Sequence, residues 1–260
     1  MTITGLVSLV LILIFFGLIL LFSFAGRSRP GVELRQIPAF KKLRHAISLA
    51  VEAGTRLHIS LGRGDITRPE SASAFVGLSM VERMSKSAAT GDSPPIVTTG
   101  DSSLAILAQD TLKTSYQEMG LIDQYERTSS QLLGVSPFSY AAGTLPIISD
   151  ENTSASILIG SFGTEVALLT DAGERSGNLT LAGTDDISAQ AILYATAHEP
   201  LIGEELYAGG AYVQAGAMHA ASLRAQDVIR WLIVIAILGG ILLNALGLDQ
   251  TLLKIFEGVL

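Results

Sequence analysis

Two stretches of the chain are apolar without interruption, and between them the hydrophobic positions recur in short, ordered runs. Ile3 to Ala25 carries no charged side chain over 23 residues, and Trp231 to Leu248 carries none over 18. About 20 apolar residues are needed to cross a bilayer core as a helix, so both stretches are predicted to be transmembrane helices. Trp231 is placed to anchor the second at an interface. A cleavable secretory signal has a shorter apolar core, about 7–15 residues, after a basic start. The first stretch is longer and its start is uncharged, so it is read as a retained anchor.

From Ile37, the positions Phe40, Leu43, Ile47, Ala50 and Val51 follow a helical period, and Gly54 is placed to end the run. Beyond it a unit recurs: a short β-rich run, a polar junction and a helical segment. Arg56 to Leu61 leads through Gly62-Arg63-Gly64-Asp65 to a helix over 69–88. Pro95 to Thr99 leads through Gly100-Asp101-Ser102-Ser103 to a helix over 104–119. Gln131 to Val135 leads through Ser136-Pro137 to a short helix. Ser156 to Ile159 leads through Gly160-Ser161-Phe162-Gly163 to a helix over 164–172. Leu179 to Ala182 leads through Gly183-Thr184-Asp185-Asp186 to a helix over 187–197. A further helix is predicted over 201–213, and a connector over 218–230 enters the second apolar stretch.

Strands alternating with helices imply parallel βαβ units. The predicted fold class is α/β, a Rossmann-like open parallel sheet of about five strands flanked by the two terminal transmembrane helices. The predicted organisation is a transmembrane helix at 3–25, an α/β domain with membrane-proximal connector helices at 27–230, a transmembrane helix at 231–248 and a short amphipathic tail at 249–260. In the tail, Leu252, Leu253, Phe256, Val259 and Leu260 share one side of a helix.

Composition and charge sharpen this picture. A mean hydropathy of +0.46 over 260 residues belongs to a membrane protein rather than an ordinary soluble one. Arg27, Arg29, Arg35, Lys41, Lys42 and Arg44 follow the first span and Arg224 and Arg230 precede the second, whereas the outer flanks hold only Lys254 besides the amino terminus. Positive charge favours the cytoplasmic side, so the central domain is expected in the cytoplasm and both termini outside. That orientation disfavours Arg63-Gly64-Asp65 as a cell-adhesion tripeptide. Residues 27–230 contain 16 of the 17 basic and 22 of the 24 acidic residues, a net charge of −6. This is a poor match for a nucleic-acid surface. With no cysteine, the chain forms no disulfide, thiolate metal site or cysteine nucleophile.

In such a sheet, ligands bind beyond the carboxyl ends of the strands, where helix amino termini present unpaired N–H groups. The candidate ligand set there is Gly62, Arg63, Gly64, Asp65, Thr99, Gly100, Asp101, Ser102, Ser136, Ser161, Gly183, Thr184 and Asp185. Arg63 suits a phosphate or carboxylate, and Asp101 or Asp185 a cation or ribose hydroxyl. The same residue types are what helix caps and tight turns require, and that plainer reading comes first. No phosphate-loop motif is present, Gly62-Arg63-Gly64 lacks the third glycine of G-x-G-x-x-G because residue 67 is threonine, and Gly160-Ser161-Phe162-Gly163 is not a nucleophile elbow. The histidines are scattered, and His58 is expected as a packed strand residue. No pattern specifies a cofactor, a metal or a catalytic group.

In the second span, Ala236 and Gly240 form a small-xxx-small pair beside Gly239, with Asn244 as a lone amide. Such a face packs closely against another helix, either the first span of the same chain or a second copy. The expected function is therefore a membrane-anchored module that scaffolds a membrane assembly, with the lipid membrane and a second copy or other membrane proteins as partners. The alternative is a sensor or enzyme for a nucleotide or anionic metabolite at the rim of the sheet. A transport component would need other subunits to supply a pathway, since neither span has an ionisable side chain.

The stretches HISLGRGDI at 58–66, TTGDSS at 98–103 and MHAASLRAQDVIRW at 218–231 resemble an uncharacterised family of bacterial membrane proteins. The resemblance implies an amino-terminal helix, a cytoplasmic α/β domain and a carboxy-terminal helix. It implies no activity and no catalytic residues.

Overall fold

The computed structural model describes residues 3–27, 35–67, 71–150 and 152–245. The amphipathic tail, the last three residues of the second apolar stretch, Arg29, and the first two residues of the helix predicted from Pro69 lie outside these.

The chain forms two compact units. One, residues 33–215, is the α/β unit. Its helix α2 (Pro38–Ala53) has proline in the first turn, where no N–H is needed, and ends at Gly54 in the left-handed region at φ 67°. Then follow β1 (Arg56–Gly62), α3 (Ser71–Ala88), β2 (Ile96–Thr99), α4 (Ser102–Glu118), β3 (Ser130–Leu132), α5 (Pro137–Ile148), β4 (Thr153–Ser161), α6 (Val166–Arg175), β5 (Leu179–Thr184), α7 (Ile187–Thr196), β6 (Glu199–Leu201) and α8 (Glu204–Tyr212).

The six strands form one sheet in the order β3-β2-β1-β4-β5-β6, and every pairing is parallel. The sequence points to five of them. The sixth is β6, a three-residue edge strand containing Pro200, a residue tolerated only where no ladder hydrogen bond is demanded of its nitrogen. β4 also begins earlier than the run read from Ser156, because Thr153 and Ala155 pair with Arg56 and Leu57 of β1 although Thr153-Ser154-Ala155 is not an apolar run.

Side chains alternate across the sheet. Leu57, Ile59 and Leu61 of β1, with Ala155, Ile157 and Ile159 of β4, belong to a core with Phe40 and Leu43 of α2, Met80 and Met84 of α3, Leu112 of α4 and Leu206 of α8. On the opposite face Leu158 and Ala182 meet Tyr140 and Ile148 of α5, Val166 and Leu169 of α6 and Leu193 of α7. Helices therefore cover both faces, and α5 carries the chain from β3 back past β1 to β4. Glycine permits the closest approach of helix to sheet. A Cβ on Gly77 of α3 would lie 2.7 Å from the Ile159 carbonyl oxygen.

The other unit holds α1 (Ile3–Arg27) and α9 (Ala217–Ala245), which pack on each other. Both are long and apolar enough to cross a membrane. α9 is unbroken through the predicted connector and is about 44 Å long at 1.5 Å per residue. Half-covered positions form one stripe on α1, at Phe15, Leu18, Ile19, Phe22 and Ser23, and from Trp231 onward on α9 they fall at Gly239 and Leu243. Ala236, Gly240 and Asn244 lie on an exposed face of α9. Nothing comes within 4 Å of a Cβ built on Gly240.

Candidate functional site

The strand order reverses between β1 and β4: from β1 the chain moves outward to β2 and β3, and from β4 outward to β5 and β6. A doubly wound sheet opens its ligand crevice at this switch point, between the loops that leave the two strands. Those loops are residues 62–67 and 161–165.

Three loops are knitted together there. Gly62 sits at φ +66°, and a Cβ on it would lie 2.3 Å from the Ser161 carbonyl oxygen. The Arg63 amide donates to that same oxygen at 2.9 Å, and the Gly62 carbonyl accepts from the Gly100 amide at 2.8 Å and the Thr99 hydroxyl at 3.3 Å. The Arg63 side chain lies over Gly100, where a Cβ would come within 2.4 Å of its Cγ. Gly64 packs against Ala74 and Ser161. Gly62, Arg63, Gly64, Thr99, Gly100 and Ser161 are thus brought together.

The remaining sequence-derived candidates hold neighbouring parts of the rim. Asp65 accepts from the amide and hydroxyl of Thr67 in a local turn. Asp101 accepts from the Leu104 amide at 2.9 Å as the cap of α4, which Ser102 opens, and bonds the Ser103 hydroxyl. Ser136 forms a reciprocal capping box with Ser139 at the start of α5. Gly183 lies in β5, tight against Leu201 and Leu206. The Thr184 hydroxyl donates to the Phe162 carbonyl at 2.9 Å and lies 3.0 Å from its amide, and Asp185 accepts from the Ser73 hydroxyl at 2.8 Å. Asp186 caps α7 through the Ala189 amide.

The central acid was not among the sequence candidates. Glu165, just before α6, has a side chain only 3% exposed and accepts from Arg63 Nε at 3.3 Å and from the Gly163 amide at 3.1 Å. The one available signal was an acidic residue at a helix start, a common surface feature. Its burial follows from its partner across the switch point. Arg63, at 26% exposure, keeps the Nε edge of its guanidinium on Glu165. Such a pair is able to hold the loops of β1 and β4 together, or to meet a ligand bearing both an anion and a donor.

A second polar cluster lies beneath, inside the sheet. His58 Nε2 is 2.9 Å from the Thr98 hydroxyl and Nδ1 is 3.4 Å from that of Ser156. The fully buried Tyr140 hydroxyl bonds Ser60 at 2.5 Å and Thr98 at 3.0 Å. Burial lowers the His58 pKa to about 3, so its imidazole is neutral near pH 7, and burial raises that of Tyr140. Among the described residues, no three His, Asp or Glu side chains converge in a way that would hold a metal ion.

The strand order, the switch-point loops and the two long apolar helices define a Rossmann-type α/β protein with helices capable of spanning a membrane. The chain belongs to the family described as a domain of unknown function (DUF6754), whose model matches residues 1–255. No curated protein and no solved structure matches it.

Proposed function

We propose that the chain is a membrane-anchored cytoplasmic module that serves as a scaffold or subunit of a membrane protein assembly. The observation that carries this reading is the engagement of the switch-point rim with itself. Arg63 meets a buried carboxylate, Thr184 joins the loop after β4, and Asp101, Ser136 and Asp186 cap helices. A rim organised in this way rigidifies the domain. The partners of the reading are the lipid bilayer, along α1 and α9, and a second copy or other membrane proteins at the exposed Ala236, Gly240 and Asn244 face.

Native mass spectrometry of the protein gently extracted from its own membrane tests this. A defined homo-oligomer or hetero-complex is expected, and Gly240→Ile should dissociate it. A monomer with no partner at native expression levels would overturn the reading.

A second reading rests on the strand order, which puts Arg63 and Glu165 at the position where doubly wound sheets bind nucleotides and related metabolites. Here the protein is a small-ligand sensor or enzyme with Arg63 as its anion contact. A nucleotide or phosphorylated metabolite would then raise the melting temperature, and Arg63→Ala would remove that shift.

A further inference from the structure

A groove between α2 and α3 lies on the sheet face opposite α5 to α7, and reaches the end of α3 that leads back toward the start of β2. It consists of two adjoining cavities, a more enclosed one of about 110 Å³ and an open one of about 410 Å³, which share Arg44, Ile47 and Ser87. Phe40, Leu43 and Met84 form the floor of the smaller, all of them buried core residues, and the Tyr212 ring stacks on Phe40 at 4.8 Å. The combined space falls in the range of small-molecule sites, about 300–1,000 Å³.

The charges around this apolar floor are unbalanced. Arg35 pairs with Glu205, Lys42 with Glu199, and Lys86 with both Glu82 and Glu118. Arg44 and Arg83, one from each wall, have no ion pair among the described residues. The one acid of the groove, Glu52, lies two helical turns from Arg44, about 12 Å along α2.

Gln214 supplies an independent sign. It lines the smaller cavity and is the only non-glycine described residue with positive φ, at 59°. It follows α8, and with the Ala215 amide bonded to the Gly210 carbonyl it occupies an exit position where helices favour glycine. A glutamine there sacrifices local stability and places a carboxamide at the cavity wall.

We propose that this groove binds an amphiphilic anion, a hydrocarbon chain ending in a phosphate or carboxylate. The head bridges Arg44 and Arg83 and accepts from the Gln214 amide, since guanidinium groups match such oxygens with paired hydrogen bonds. The chain lies over Ile47 toward Val51. An inorganic anion would leave the floor uncovered, and a neutral hydrocarbon would leave the charges of both arginines unanswered. The same chemistry is offered by the headgroup of an anionic lipid and by a free alkyl phosphate or fatty acid. This site stands whether or not the chain assembles.

The test uses the full chain in nanodiscs and follows hydrogen exchange of residues 40–52 and 83–88. In phosphatidylcholine discs, octyl phosphate is expected to protect these amides, while inorganic phosphate or octanol alone does not. Arg44→Ala with Arg83→Ala should weaken the apparent affinity by at least about tenfold without lowering the melting temperature, because two unpaired like charges are removed. Gln214→Gly should raise the melting temperature and still weaken binding. Protection in phosphatidylglycerol discs without added amphiphile identifies bilayer lipid as the source, and protection by octyl phosphate alone identifies a free amphiphile. If neither protects, or if the double variant binds octyl phosphate unchanged, the proposal is overturned.

Discussion

At the scale of single residues, the decisive contrast is between two buried polar groups that meet their surroundings differently. Glu165 keeps its carboxylate at the switch point beside Arg63 and the Gly163 amide. Arg63→Ala strands that carboxylate and should cost about 2–3 kcal/mol, somewhat below the figure for a fully buried pair because Arg63 is partly exposed. Adding Glu165→Gln should recover most of the loss, as read from denaturant unfolding of both variants. If Arg63→Ala is neutral, the pair does not hold the loops and the ligand reading gains. His58 instead enters the fold neutral, with its pKa near 3 against an ordinary value of 6.5. Above pH 6.5 neither state binds a proton there. Below it the unfolded chain does and the folded one does not, so stability falls as pH drops from about 6.5 toward 3, by up to about 1.4 kcal/mol per unit. Unfolding measured across that window should be less steep for His58→Gln, and equal slopes would show that the imidazole is not held neutral.

At the scale of elements, the sequence was most legible where a β-rich run met a polar junction and then a helical period. β1, β2 and β5 with their following helices lie close to the stretches so read. β6 was hidden because three residues including Pro200 carry no periodicity, and its pairing with β5 is a property of the sheet. The first residues of β4, ahead of the run read from Ser156, were hidden for a related reason: Thr153 to Ala155 look like loop residues until β1 supplies backbone partners for Thr153 and Ala155. Within the candidate site, the glycines, Arg63 and the capping residues were legible as types at junctions. Glu165 was not, because its burial depends on a side chain 102 positions away. The β1–β4 junction also gives the sharpest backbone test. Gly62→Ala combines a left-handed φ with a Cβ 2.3 Å from the Ser161 carbonyl oxygen. It should destabilise the α/β unit by about 3–5 kcal/mol in denaturant unfolding, and a loss below about 1 kcal/mol would mean that the loops of β1 and β4 separate readily.

At the scale of the whole molecule, the reading turns on which side of a membrane the α/β unit occupies. α1 and α9 are apolar around most of their circumference, and large side chains such as Leu11, Ile12, Leu13, Ile235 and Leu238 are exposed. A helix of that kind needs either a protein core or lipid around it. The basic residues crowd the inner flanks of the two apolar stretches, which argues for a cytoplasmic domain even though its own net charge is negative. The absence of cysteine makes the orientation directly measurable, because each introduced thiol is the only one in the chain. Ser176→Cys places it on an exposed turn after α6, and Thr2→Cys places it at the amino terminus. With a membrane-impermeant maleimide on intact cells, Thr2→Cys should label at once and Ser176→Cys only after permeabilisation. The reverse pattern would put the α/β unit outside and with it the Arg63-Gly64-Asp65 tripeptide. Adhesion would then have to be weighed again, and a cytoplasmic scaffold would be untenable.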